Sequence, residues 1–202
     1  MRPPSISHPI PAVILLAPMM HSRQVYQSLA YMLVKQNIAV LSIDMRTYLR
    51  MQKKGSFYPD DVANLVQDAL AAILYVVRQP GIDSTKLGIL GTEVTARTAL
   101  IAAGEDKRIK AIALVSAVLD DKALTLIQRT PFRPILVIVS LQDAAAGQQA
   151  RTIYEYSVHP FSDIESYINA GKGAEIWWSY VQLDVAEKIS TWFVSRLYEA
   201  GS

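Results

Sequence analysis

Residues 86–90 (KLGIL) run directly into residues 91–95 (GTEVT), and a helical period begins at Ala96. This is a strand, a tight turn and a helix start in immediate succession, with Glu93 in the turn. Working outward, the same alternation recurs. Residues 12–16 (AVILL) form a continuous β-rich run of the kind buried on both faces of a parallel sheet. Residues 24–35 place Val25, Leu29, Met32 and Leu33 at helical spacing, and residues 38–43 (IAVLSI) supply the next strand. The clearest helix spans residues 61–78, striped by Val62, Leu65, Val66, Ala69, Leu70, Ile73, Leu74 and Val77, with Asp60 as its expected cap and Pro80-Gly81 as its stop. That stripe reads as core rather than as a cofactor-binding motif. After the turn at Glu93, residues 95–103 suggest a helix, 109–115 (IKAIALV) and 135–140 (ILVIVS) two more strands, 144–156 a helix and 163–168 a sixth strand. Val185, Ile189, Trp192, Phe193 and Leu197 stripe a closing helix.

A β-α-β-α order of this length predicts an α/β protein, a three-layer α/β/α sandwich on a mostly parallel sheet of about six strands with right-handed crossovers. Residues 1–10, with Pro3, Pro4 and Pro9, read as an extended arm, and residues 11–200 as one domain. Sheets of this type place ligands at the carboxyl ends of their strands, so the residues just after each strand are the ones to examine.

Composition narrows the function classes. The 202 residues are 51% hydrophobic and 19% charged, enough for a sizeable core. Twenty basic and 18 acidic residues, spread along the chain, leave a net charge of +2 and no concentrated basic face for nucleic acid. The absence of cysteine excludes disulfides, thiolate catalysis and sulfur-bound zinc. His8, His21 and His159 are scattered without metal-ligand spacing, so neither a metal nor another cofactor is expected. The apolar stretch 10–20 is interrupted by prolines and is shorter than the ~18 residues of a membrane span; it reads as a buried strand. The cytoplasm is the default location.

Three strand ends carry groups able to converge: Glu93 after the third strand, Asp143 after the fifth (140–143, SLQD) and Lys172 after the sixth (171–173, GKG). In order and spacing the chain resembles the α/β-hydrolase superfamily, especially its small lidless dienelactone-hydrolase-like and dipeptidyl-peptidase-like esterase members. Residues 14–23 (ILLAPMMHSR) resemble the family's strand and oxyanion loop, and 40–46 (VLSIDMR) its next strand and D-x-R turn. Residues 134–143 resemble the strand and acid turn, and 168–175 (INAGKGAE) the histidine loop. The G-x-S-x-G elbow of those enzymes falls on residues 91–95.

The resemblance implies a minimal hydrolase fold without a lid and puts the nucleophile position on Glu93, the acid on Asp143 and the histidine on Lys172. Only the acid is kept. Thr95 replaces the second elbow glycine and Pro18 the oxyanion-loop glycine; the backbone donors for an oxyanion would be Met19 and Val94. An ammonium between two carboxylates is a poor proton acceptor at neutral pH, so the proton shuttle of a serine–histidine pair has no successor here. Glu93, Asp143 and Lys172 together carry one negative charge, as does a resting serine, aspartate and neutral histidine. They are expected to pair as an ion cluster, with Arg97 as a competing partner for Glu93.

The leading expectation is therefore a hydrolase-like protein without hydrolase activity, binding a small molecule or a protein partner. Two alternatives stand beside it. One is an esterase or a hydrolase with a carboxylate nucleophile, as in haloalkane dehalogenases of the same superfamily. The other is an oligomerisation module, possible as a homodimer across a sheet edge.

His21, Trp177 and Trp178 are candidates for the rim of the pocket, against the plainer readings of a solvent-facing loop histidine and of tryptophans packing a loop onto the sheet. His159 reads as a turn residue, and Asp44 and Arg46 as holding the turn after the second strand. Lys53-Lys54 and Asp120-Asp121 read as solvated surface, Gly55 as part of a loop near the mouth, and residues 118–133 as too short for a lid.

Overall fold

A computed structural model describes residues 8–56, 58–128 and 133–198. The described strands form one six-stranded, wholly parallel sheet in the order β2-β1-β3-β4-β5-β6. These are β1 Ile10–Leu16, β2 Ala39–Ile43, β3 Ile82–Thr92, β4 Ile109–Val115, β5 Ile135–Ser140 and β6 Asp163–Tyr167. The helices between them are α1 Gln27–Lys35, α2 Arg46–Lys54, α3 Pro59–Ala63, α4 Leu65–Val77, α5 Val94–Glu105, α6 Asp121–Gln128, α7 Ala144–Tyr156 and α8 Gln182–Tyr198. Short 3-10 turns at Arg23–Tyr26 and Gly173–Trp178 precede α1 and α8.

The sheet is covered on both faces, and β1 shows why its run is unbrokenly apolar. Ile14 and Leu16 join the core formed with α4, α5, α6 and α7, while Val13 and Leu15 join the core formed with α1 and α8. The three-layer expectation holds. Because β1 lies between β2 and β3, the chain turns one way after β1 and the other way from β3 onward, so the loops following β1 and β3 flank the reversal of strand order. Met19, His21 and Glu93 lie in those loops.

Several boundaries differ from the sequence reading. β1 begins at Ile10, within the expected arm, whose residues 1–7 lie outside the described residues. Asp60 does not cap the long helix: Tyr58 precedes a short helix in which Asp60 sits in the first turn, and Asn64 separates it from α4. Helices α2 and α6 were not expected. Helix α2 buries only Thr47 and is held by ion pairs from Arg46 to Asp68 and from Arg50 to Asp61, so it has no apolar stripe to betray it. Asp120 is not idle surface, since it accepts the Ala123 N–H at the start of α6 (3.0 Å) and pairs with Arg97 (2.7 Å).

Candidate functional site

The turn from β3 into α5 is held in an unusual backbone conformation. Glu93 has φ 55° and ψ −121°, a region that costs a non-glycine residue about 1–3 kcal/mol and is kept where surrounding structure enforces it. Its N–H is tied to the Val115 carbonyl of β4 (3.0 Å). The first turn of α5 curls so closely over β3 that a Cβ on Gly91 would lie 2.0 Å from the Thr95 carbonyl oxygen, which is why only glycine fits there. The second elbow position is filled by Thr95, whose buried hydroxyl accepts the Thr92 N–H (2.9 Å) and lies 2.8 Å from the Thr92 carbonyl oxygen.

Beneath the elbow runs a buried, neutral hydrogen-bond chain. The Trp177 indole N–H donates to the Thr92 hydroxyl (3.0 Å), and the Tyr26 phenol donates to the Leu16 carbonyl (2.9 Å). Since that uses the only phenol proton, the Thr92 hydroxyl donates to the Tyr26 oxygen (2.8 Å). Burial pushes the Tyr26 phenol far above its ordinary range, the Thr92 bond opposes this, and the Glu93 charge adds to the rise. The chain thus ties the ends of β1 and β3 to the turn that follows the histidine-loop position.

Above the elbow the arrangement is different. The Glu93 carboxylate accepts the Ala174 N–H (3.1 Å), and the Asp143 carboxylate accepts the adjacent Gly173 N–H (2.9 Å) while also accepting the Ala146 N–H at the start of α7 (3.2 Å). Two carboxylates from different strand ends therefore hold consecutive amides of one turn. Gly173, at φ 54°, leaves room for this: a Cβ there would lie 1.8 Å from Glu93 Oε1.

The expected ion cluster does not form. Lys172 is exposed, and its ammonium is within 4.0 Å of no carboxylate among the described residues; its backbone N–H instead donates to Glu175 (2.9 Å). Each anion instead accepts a backbone N–H of the turn, and the lysine side chain does not lie between them. Arg97 is likewise taken by Asp120 and not by Glu93.

The remaining candidates separate into rim and core. Trp178 is about half exposed and packs against His21 with ring centroids 4.7 Å apart, so these two border the site, and His21 is half-buried rather than free in solvent. Trp177 is 1% exposed and belongs to the core, as its indole N–H requires a buried acceptor. Met19 and Val94 are both half-buried, and among the described residues neither backbone N–H donates a hydrogen bond. The Met19 carbonyl accepts the Thr47 hydroxyl (2.8 Å), and Asp44 ties β2 to the same loop through Arg23 (2.8 Å). The His159 ring nitrogen accepts the Phe161 N–H (3.2 Å), as a turn residue does.

Sequence reasoning passed over Ser116. It directly follows β4, beside Glu93 in the sheet, adopts φ 45°, and is 1% exposed with a hydroxyl oxygen lacking a hydrogen-bond partner among the described residues. Its position at a strand end was the available signal.

No family model and no curated protein matches this sequence. Solved structures do match its fold. A dienelactone hydrolase from Anabaena variabilis superposes with a TM-score of 0.78 at 19% identity, over 97% of this chain and 89% of that one. The esterase domain of a Rhodothermus marinus protein gives 0.68 at 15% identity, over 95% and 90%. An esterase structure from Rhizomucor miehei gives 0.68 at 13% identity, over 99% of this chain and 79% of that one. The chain has the α/β-hydrolase fold.

Proposed function

We propose that this chain is a hydrolase-like protein without hydrolase activity, acting by binding a small molecule or a protein partner at the carboxyl ends of β1, β3 and β5. One observation carries the reading. The Glu93 carboxylate is engaged by the Ala174 N–H, and the side chain at the histidine position, Lys172, is exposed with no carboxylate partner among the described residues. Acyl transfer needs a group that takes the nucleophile's proton and later activates water, and this pair supplies neither. The test is hydrolysis of short-chain nitrophenyl esters by the native protein and by Glu93→Ala. Background rates in both are expected; release abolished by Glu93→Ala would overturn the proposal.

A second reading, a carboxylate nucleophile acting on esters or related bonds, is favoured by the strained elbow at Glu93 and by the available N–H groups of Met19 and Val94. It predicts a covalent adduct on Glu93 after incubation with substrate, visible by intact-mass measurement.

A further inference from the structure

Helix α2 and Asp61 of α3 line an open cavity of about 340 Å³, bordered by Arg46, Leu49, Arg50, Lys53, Lys54 and Asp61. Positions 46, 49, 50, 53 and 54 follow the i, i+3, i+4, i+7, i+8 rule, so they form one stripe of α2. In an ordinary amphipathic helix that stripe is apolar; here four of its five members are cations. Like charges four residues apart repel by roughly 0.2–0.5 kcal/mol per pair, and α2 carries two such pairs, 46/50 and 50/54.

Two of the cations are held in fixed positions by carboxylates, one of which, Asp61, also lines the cavity. Arg46 Nε donates to Asp68 (2.8 Å), and Arg50 Nε pairs with Asp61 (2.9 Å), a residue only 4% exposed that also accepts the Tyr58 N–H (2.9 Å). The Arg50 guanidinium lies over the Tyr58 ring, 5.3 Å from its centre. Each guanidinium has five N–H donors, so each keeps donors beyond those pairs. Lys53 and Lys54 have no carboxylate within 4.0 Å among the described residues. Counting Arg46, Arg50, Lys53 and Lys54 against Asp61 and Asp68, the site is left with two positive charges in a concavity, where a field of one sign is focused. Leu49 and the lysine and arginine stems add an apolar wall. The cavity is at the small end of the range for ligand sites, about 300–1,000 Å³.

From this stripe and cavity we infer a second binding site, for a phosphate monoester on a small apolar body. It shares no residue with the Glu93 site, although Thr47 of α2 bonds to the Met19 loop, so the two are neighbours. Its success or failure is independent of whether Glu93 catalyses.

The probe is phenyl phosphate, titrated calorimetrically into the full chain with phenol as the neutral control. Vesicles of phosphatidylcholine containing either phosphatidic acid or phosphatidylglycerol form the second arm. Saturable binding of phenyl phosphate but not phenol is expected. Lys53→Gln with Lys54→Gln should weaken it at least about tenfold, whereas Glu93→Gln should leave it unchanged; both lysines are exposed at the end of α2, so the fold should tolerate the change. Binding confined to phosphatidic acid vesicles and lost in the double variant assigns the phosphate to a lipid headgroup; binding of phenyl phosphate assigns it to a soluble ester. Failure of both probes, equal binding of phenol or of both vesicle types, or affinity unchanged in the double variant overturns the inference.

Discussion

The site has two layers, and they are built on different principles. Below the elbow, Thr92, Thr95, Tyr26 and Trp177 are buried, neutral and bonded to one another or to strand carbonyls. Above it, Glu93 and Asp143 are charged, half-buried, and bonded to backbone amides of Gly173 and Ala174. The lower layer makes the sharp turn possible whatever side chain stands at its tip. The upper layer depends on backbone N–H groups, one of them on Gly173, where a Cβ would lie 1.8 Å from Glu93 Oε1.

The largest expected effect tests the lower layer. Trp177→Ala removes a fully buried indole and should cost about 3–5 kcal/mol in denaturant unfolding, enough to show that this layer holds the elbow. Thr92→Val keeps the shape but orphans the Trp177 N–H, for an expected loss of about 1–3 kcal/mol. In the upper layer, Glu93→Ala should cost only about 1–2 kcal/mol, with faster amide exchange at Ala174 as its local signature. A loss equal to that of Trp177→Ala would break the comparison.

Acid probes two ion-paired carboxylates that lie outside both layers. The Arg108 bond holds Asp106 below the ordinary carboxylate range, and the Arg97 bond does the same for Asp120. A carboxyl with a depressed folded-state pKa contributes stability above its unfolded value of ~3.9, and that contribution is lost as pH falls through the lower folded value. Stability should thus decline modestly below about pH 4, less so in Asp120→Asn, while Trp177 fluorescence stays flat across the neutral range because burial keeps Tyr26 protonated. The smallest effect belongs to Lys172→Ala, expected within about 0.5 kcal/mol since its exposed side chain makes no ion pair among the described residues. A loss above that would reinstate Lys172 as a partner of the carboxylates.

The strands and most helices were legible because buried runs such as 12–16 and stripes such as that of α4 carry their own period. Helix α2 was not, since ion pairs rather than apolar contacts hold it, and only the fold sets its exposed lysines beside Asp61 of α3 in one open cavity. Glu93 and Asp143 were legible as strand-end residues. Their partners were not, because a side chain's charge suggests another side chain, whereas the acceptors here met backbone amides that no residue type announces.

By itself, then, the sequence determined the parallel α/β architecture and the placing of a strand, turn and helix junction at Glu93. Those depend on periodicity and residue identity, which are local. Only the tertiary structure decided that Lys172 faces away, that Trp177 is core and Trp178 rim, and that two carboxylates converge on one turn. Those outcomes depend on which groups compete for the same donors once distant strand ends are brought together, and a backbone N–H fixed at hydrogen-bond distance outcompetes a flexible ammonium that water solvates well.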